Sequence, residues 1–123
     1  MQVSKKHFES LGGLQDRAAF LHVQKAGRKW VSRGVIVEVA ENTQGNVRFG
    51  LTISKKISKS AVVRNRVRRR LRTAAREILP VCVRPGYDVV LIGRAETAER
   101  PFAQVKEDLR WCLDKLGVTR KQT

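Results

Sequence analysis

The spacing of apolar positions changes several times along the chain, and each change marks an element. Leu14, Ala18, Leu21 and the aliphatic stem of Lys25 recur at helical intervals. They predict a short helix from Leu14 to about Lys25, stopped by Gly27. Arg28, Lys29 and Trp30 follow as a basic, aromatic connector. Val35, Val37 and Val39 then alternate with Ile36, Glu38 and Ala40, and Val47, Phe49, Leu51 and Ile53 alternate with Arg48, Gly50, Thr52 and Ser54. That period of two, with turn-forming residues at 41–46 between the runs, predicts two strands joined as a hairpin. The second strand has large apolar groups on one face and small or polar ones on the other, leaving the second face open to a ligand.

The next helix is the longest, about Ala61 to Leu79, with Ser58 or Ser60 as its N-cap and Pro80 closing it. Pro85-Gly86 turns the chain into 87–93, a run apolar on both faces that belongs inside a sheet. A final helix begins near Pro101. Phe102, Val105, Leu109, Cys112, Leu113 and Leu116 form its stripe, and Gly117 ends it. The organisation is a flexible basic arm over 1–13, a single domain over 14–117 and a basic tail over 118–123, with no internal repeat.

Composition narrows what this domain meets. A chain of 123 residues holds one modest core. Its 41% hydrophobic content is too high for a disordered basic tail. The net charge of +15, from 26 Lys and Arg against 11 Asp and Glu, therefore sits on a folded body. Such a balance excludes an acidic chaperone-like protein and most ordinary metabolic enzymes, and points to nucleic acid. No apolar run reaches the length of a membrane span, and the chain start lacks the apolar stretch of a secretory signal. Cys82, Cys112, His7 and His22 are too dispersed for a zinc site. The cysteines read as reduced core residues in a cytoplasmic protein, with a catalytic thiol and distant His as the alternative.

The long helix locates the charge. With Val63 at zero on a helical wheel, Val63, Val67, Leu71, Ala74 and Ile78 fall within roughly 80°. Asn65, Arg68, Arg69, Arg72 and Arg76 occupy the far side, and Arg64, Arg66 and Arg70 flank the stripe. One face docks on the sheet while the rest carries guanidinium groups. An ordinary solvated face would intersperse acids at i,i+4, yet no acid occurs between Glu41 and Glu77. Uncompensated arginine, with its planar fork, suits phosphate.

These residues resemble the bacterial ribonuclease P protein family. The resemblance rests on Gly50-Leu51-Thr52-Ile53-Ser54-Lys55-Lys56, then Ala61-Val62-Val63-Arg64-Asn65-Arg66-Val67-Arg68-Arg69, then Leu71-Arg72. Phe20, Gly27-Arg28-Lys29, and Asp88 to Ile92 with Arg94 stand in the matching order, so the likeness runs from about Leu14 to Leu116. It implies an α+β fold: a mixed sheet of about four strands with three helices, including a left-handed βαβ crossover through the arginine-rich helix. The general rule alone would make that crossover right-handed. Three of the strands are readable here.

The resemblance also implies a protein subunit without catalytic or metal-binding residues of its own. In that family a catalytic RNA holds the Mg2+ and directs water onto precursor tRNA, releasing the 5′ leader and leaving a 5′-phosphate. The protein assists substrate binding and metal affinity. Its implied partners are the catalytic RNA and precursor tRNA, with no membrane and no obligate protein partner. In keeping with this, Asp16, Asp88, Asp108 and Asp114 are scattered, where metal-assisted hydrolysis wants clustered carboxylates. The alternatives are a ribosomal-protein-like RNA binder without a processing role, and an autonomous nuclease.

Two RNA-facing surfaces are implied. Lys55, Lys56, Lys59, Arg64, Asn65, Arg66, Arg68, Arg69 and Arg72 would meet the catalytic RNA. Asn65 would bond a backbone or 2′-hydroxyl group, or instead brace the helix start. Arg17, Phe20, Arg28 and Lys29 would hold the single-stranded leader between the first helix and the sheet, through charge and an aromatic platform. A core role is the alternative for Phe20. The chain departs from the family at Gln24, where a second aromatic is usual, at Glu38, where an aromatic or neutral group is common, and at Gln15-Asp16, which replaces a basic pair. Trp30 either supplies a stacking surface or packs inside.

Overall fold

The computed structural model describes residues 17–120. Helix α1 (Arg17–Ala26) leads into strands β1 (Arg28–Val31), β2 (Ile36–Glu41) and β3 (Val47–Thr52). Helix α2 (Ala61–Cys82), strand β4 (Tyr87–Ile92), a 3-10 turn (Ala95–Ala98) and helix α3 (Phe102–Leu116) complete the chain. The start of the first helix at Leu14 and the arm over 1–13 lie outside the described residues, as do 121–123.

The four strands form one mixed sheet in the order β1-β2-β4-β3. The expected hairpin is therefore corrected: β2 and β3 are not neighbours, because β4 lies between them. It pairs antiparallel with β2 (Val39↔Val89) and parallel with β3 (Phe49↔Val89). This central position explains why 87–92 is apolar on both faces. Parallel neighbours need a long crossover, and α2 supplies it between β3 and β4. Arg28–Val31, expected as a connector, is the fourth strand, antiparallel to β2. All four of its residues are exposed, so it shows none of the alternation that a half-buried strand would.

One face of the sheet carries Val37, Val39, Val47, Phe49, Val89 and Leu91 into the main core, where α2 and α3 cover them. The α2 contribution is the predicted stripe, with Val67, Leu71, Ala74 and Ile78 buried and Val63 half-buried. Gly93 follows β4 beneath this helix; a Cβ there would stand 2.6 Å from the Val67 side chain, so no larger residue fits without displacement. The opposite face holds a smaller cluster in which Val23 of α1 packs with Ala40 and Val90, flanked by Ala19, Phe20 and Ile92. The expected α1 stripe is thus rotated: Ala18 is exposed and Leu21 is 42% exposed. A short helix with apolar groups on several sides takes its buried face from the surface it meets.

The helix ends follow local chemistry. Ser60 Oγ accepts from Val63 N at 3.3 Å, which makes Ser60 the N-cap of α2. Pro80 does not close that helix, which continues to Cys82 with Val83 N bonded to Leu79 O at 3.1 Å. One missing donor in the final turn removes a single bond without ending the helix. Gly117 ends α3 at φ 75°, the left-handed conformation that glycine adopts without a Cβ penalty. Beyond it, Val118 is buried, Thr119 bridges Val83, and Arg120 N donates to Cys82 O at 2.7 Å. The folded unit therefore runs three residues past the expected boundary.

A buried ion pair fastens β3 to β4. Asp88 is 1% exposed and receives both Nε (2.8 Å) and Nη2 (2.7 Å) of Arg48, its partner in the strand register. Asn42 Nδ2 donates to the same carboxylate at 2.8 Å. Arg48 thus has a compensating acid supplied by another strand. Both described cysteines are free thiols, Cys112 buried and Cys82 half-buried.

Two outcomes are expected. Leu71→Ala, which removes a fully buried side chain from α2, should cost about 2–5 kcal/mol in urea unfolding. Burial pushes the Cys112 thiol up, against a smaller lowering by Ser32. The folded chain then keeps that proton to higher pH than the unfolded chain. Its contribution to stability is complete below the ordinary thiol value of about 8.5 and is lost as pH rises through the folded value. Unfolding midpoints should therefore fall less steeply through this alkaline range in Cys112→Ala than in the native chain.

Candidate nucleic-acid interface

The basic surface is built around the start of α2. Its lead-in is tied down by Ile57 N to Ser54 O (3.2 Å) and Ser60 N to Ser58 Oγ (3.0 Å), while the Ile57 side chain packs against the main core. Arg64 Nη1 donates to Ser58 O at 2.8 Å, fastening this loop to the first turn of the helix. Lys55, Lys56 and Lys59 stand exposed on a segment whose backbone is fixed.

The arginines of α2 divide by position. Arg66, Arg69 and Arg72 are exposed and have no protein partner among the described residues. Spaced at i, i+3 and i+6, they run along one side of the helix over about 9 Å. Asn65 Oδ1 accepts from Arg68 Nη1 at 2.7 Å, so these two brace each other at the helix surface. Arg70 turns inward, with Nη1 donating to Thr97 O (3.1 Å) and Arg100 O (2.5 Å) and its guanidinium 5.9 Å from the centre of the Phe102 ring. Glu77, the first acid beyond this run, bonds Lys106 on α3 at 3.0 Å. Arg66, Arg69 and Arg72 therefore present positive charge without a paired acid, the arrangement that a phosphate backbone neutralises.

The second predicted surface is assembled in part. Phe20 is half-buried where α1 meets Ala40 and Val90. Lys29 and Glu38 are cross-strand partners, which puts them on the same sheet face as Ala40 and Val90. Gln24 is exposed on α1, and Arg17 is its first residue. Arg28 is not brought to this face. It lies opposite Val39, on the face covered by α3, and its Nη1 donates to Leu116 O at 2.6 Å. That bond satisfies a terminal carbonyl of α3 and places a cation at the negative end of the helix.

Among the described residues no three His, Cys, Asp or Glu side chains converge on a point that could hold a metal ion. Several acids are instead engaged singly by arginine: Asp88 by Arg48, Asp108 by Arg100 (2.9 Å), Glu107 by Arg110 (2.9 Å) and Glu96 by Arg33 (2.9 Å). The hydrogen bond from Arg33 lowers the Glu96 carboxyl from its ordinary value.

A family model described as Ribonuclease P matches residues 8–117. The chain belongs to the ribonuclease P protein family. Among relatives, the ribonuclease P protein component of Paramagnetospirillum magneticum is 40% identical over 116 residues, covering 90% of this chain and 86% of that protein. The corresponding component of Ruegeria pomeroyi is 45% identical over 111 residues, 87% of each. The solved ribonuclease P protein of Thermotoga maritima matches with a TM-score of 0.69 at 27% identity, over 84% of this chain and 93% of that one. These ribonuclease P relatives support the processing subunit over a ribosomal-type binder.

What the residue pattern did not show is which ribonuclease P arginines are spent on the fold. The acceptors of Arg28 and Arg70 are backbone carbonyls 27 to 88 residues away, and a carbonyl leaves no mark in composition. The division is open to measurement. Replacing Arg66, Arg69 and Arg72 together with Ala should shift unfolding stability by no more than about 0.5 kcal/mol per site, or raise it by relieving repulsion. Arg70→Ala should cost about 1–3 kcal/mol through its two carbonyl bonds.

Proposed function

We propose that this chain is the protein subunit of a ribonuclease P holoenzyme, binding the catalytic RNA through α2 and its lysine lead-in. The observation that carries this is the row Arg66, Arg69 and Arg72, exposed and without acid partners beside Lys55, Lys56 and Lys59. Arg64, Asn65 and Arg68 hold the helix surface on which that row stands and complete the contact. The catalytic RNA holds the Mg2+ ions, and water attacks the phosphodiester at the mature 5′ end of precursor tRNA. The products are a free leader and a tRNA with a 5′-phosphate. This chain contributes no group to bond breaking. It screens phosphate repulsion between two RNAs and so lowers the magnesium the reaction requires.

The precursor's single-stranded leader lies against the face shared by Phe20 and Lys29, near the start of α1 at Arg17. Glu38 sits across from Lys29 and keeps this second contact weaker than the first, since its carboxylate opposes phosphate. Arg28 supports the leader face only through the strand it begins. No described helix is long and apolar enough to cross a membrane. The proposed holoenzyme works in the cytoplasm, with RNA as this chain's only obligate partner.

Purified protein added to the catalytic RNA should permit cleavage of precursor tRNA at lower magnesium than the RNA alone tolerates. Absence of any magnesium benefit would sink the reading. Arg66→Ala with Arg69→Ala should weaken assembly with that RNA and flatten the logarithmic salt dependence by roughly 1.5 units. An unchanged slope would mean that these groups touch no phosphate.

A further inference from the structure

A second aromatic and basic patch lies away from both surfaces. Trp30 on β1 and Trp111 on α3 are 38% and 47% exposed, and they are the only tryptophans in the chain. Their rings meet edge to face, with centroids 6.0 Å apart and planes at 72°. Lys115 Nζ stands 6.0 Å from the centre of the Trp111 ring. Val31, 49% exposed, follows Trp30 in the same edge strand but faces the other side of the sheet, so the patch consists of the two indoles and their basic neighbours. Two half-exposed indoles at a sheet edge cost solvation and stabilise the core little, so they call for an occupant.

The surrounding charge says which kind. Arg28 donates to the Leu116 carbonyl and forms no ion pair among the described residues, and Lys115 stands over a ring. The nearby acids of α3 are engaged elsewhere: Glu107 with Arg110, and Asp108 with Arg100. Asp114 lines a cavity of about 450 Å³ with Val81 and Cys82, on the side toward α2. A second copy of the chain would bring the same cations against these. A polyanion with exposed ring faces would not.

We propose that the Trp30–Trp111 patch is a second RNA-binding site, taking unpaired nucleotides. A base stacks on the indoles, and the adjoining phosphates are met by Lys115 and Arg28. The proposal rests on the reading of the chain as an RNA-binding subunit but uses none of its α2 residues. On α3, Phe102 and Lys106 touch groups of α2, and Trp111 lies about 140° around the helix from Lys106. An RNA gripping α2 therefore leaves this patch free for a different strand, and the protein bridges two RNA segments.

Because no other tryptophan is present, fluorescence excited at the red edge of indole absorption, where Tyr87 does not absorb, reads this patch alone. A single-stranded oligoribonucleotide of mixed sequence should quench it saturably, and the same sequence as a duplex should quench it less. Quenching should persist in the Arg66→Ala, Arg69→Ala variant, which separates this site from α2. Trp111→Ala, followed by anisotropy of labelled RNA in that same variant background, should weaken binding about 5- to 150-fold. Lys115→Ala should weaken it while leaving the rings intact. Three results would overturn the proposal: no quenching while anisotropy shows RNA bound, quenching lost with the α2 arginines, or RNA-free self-association abolished by Trp111→Ala. A missing magnesium benefit in precursor cleavage would count against the holoenzyme role while leaving this quenching readable.

Discussion

The parallel pairing of β3 with β4 is the constraint on which the rest depends. Parallel neighbours cannot be joined by a tight turn, so the chain must leave the sheet, cross its face and return in the same direction. The segment that makes this journey is α2. Its buried stripe, from Val67 to Ile78, is the price of lying on the sheet, and the remaining circumference faces outward. The basic surface is thus the uncovered side of a structural necessity. Its position relative to β3 is fixed by the Ser54–Ser60 lead-in and by the register Phe49↔Val89.

Charge of one sign does two jobs in this helix. Arg64 and Arg70 are used as long donors to backbone carbonyls, and Arg48 outside the helix as the partner of a buried acid. Arginine serves there because its donors are fixed in a planar fork and it remains charged. Arg66, Arg69 and Arg72 have no such employment among the described residues. Leaving them unpaired raises the energy of the isolated protein, and a bound polyanion relieves it. The interface is in that sense strained before its ligand arrives, and affinity and intrinsic stability draw on the same residues in opposite directions.

Much of this was legible in the residues because it has a period. The α2 stripe, the doubly apolar β4 and the α3 stripe ending at Gly117 follow from side-chain geometry alone. The family signature around Arg64, Asn65 and Arg66 was legible as a string. What escaped was decided by partners distant in sequence. Nothing local tells Val35–Ala40 that it will pair with 87–92 instead of with the strand that follows. All four residues of edge strand β1 are exposed, so its burial shows no period. The buried side of α1 was chosen by Ala40 and Val90, and Arg28 was diverted to the end of α3 by a carbonyl at residue 116.

The central position of β4 also sets the order in which the molecule can be completed during synthesis. Until residues 87–92 are available, β2 and β3 each have a bare edge toward a neighbour that does not yet exist. Ile36 waits for Ile92, and the whole of α2 is made in the interval. Unpaired edges of this kind invite association between nascent chains. A chain carrying most of its charge with one sign repels its own copies during that interval. The basicity that serves RNA in the finished protein thereby protects the unfinished one.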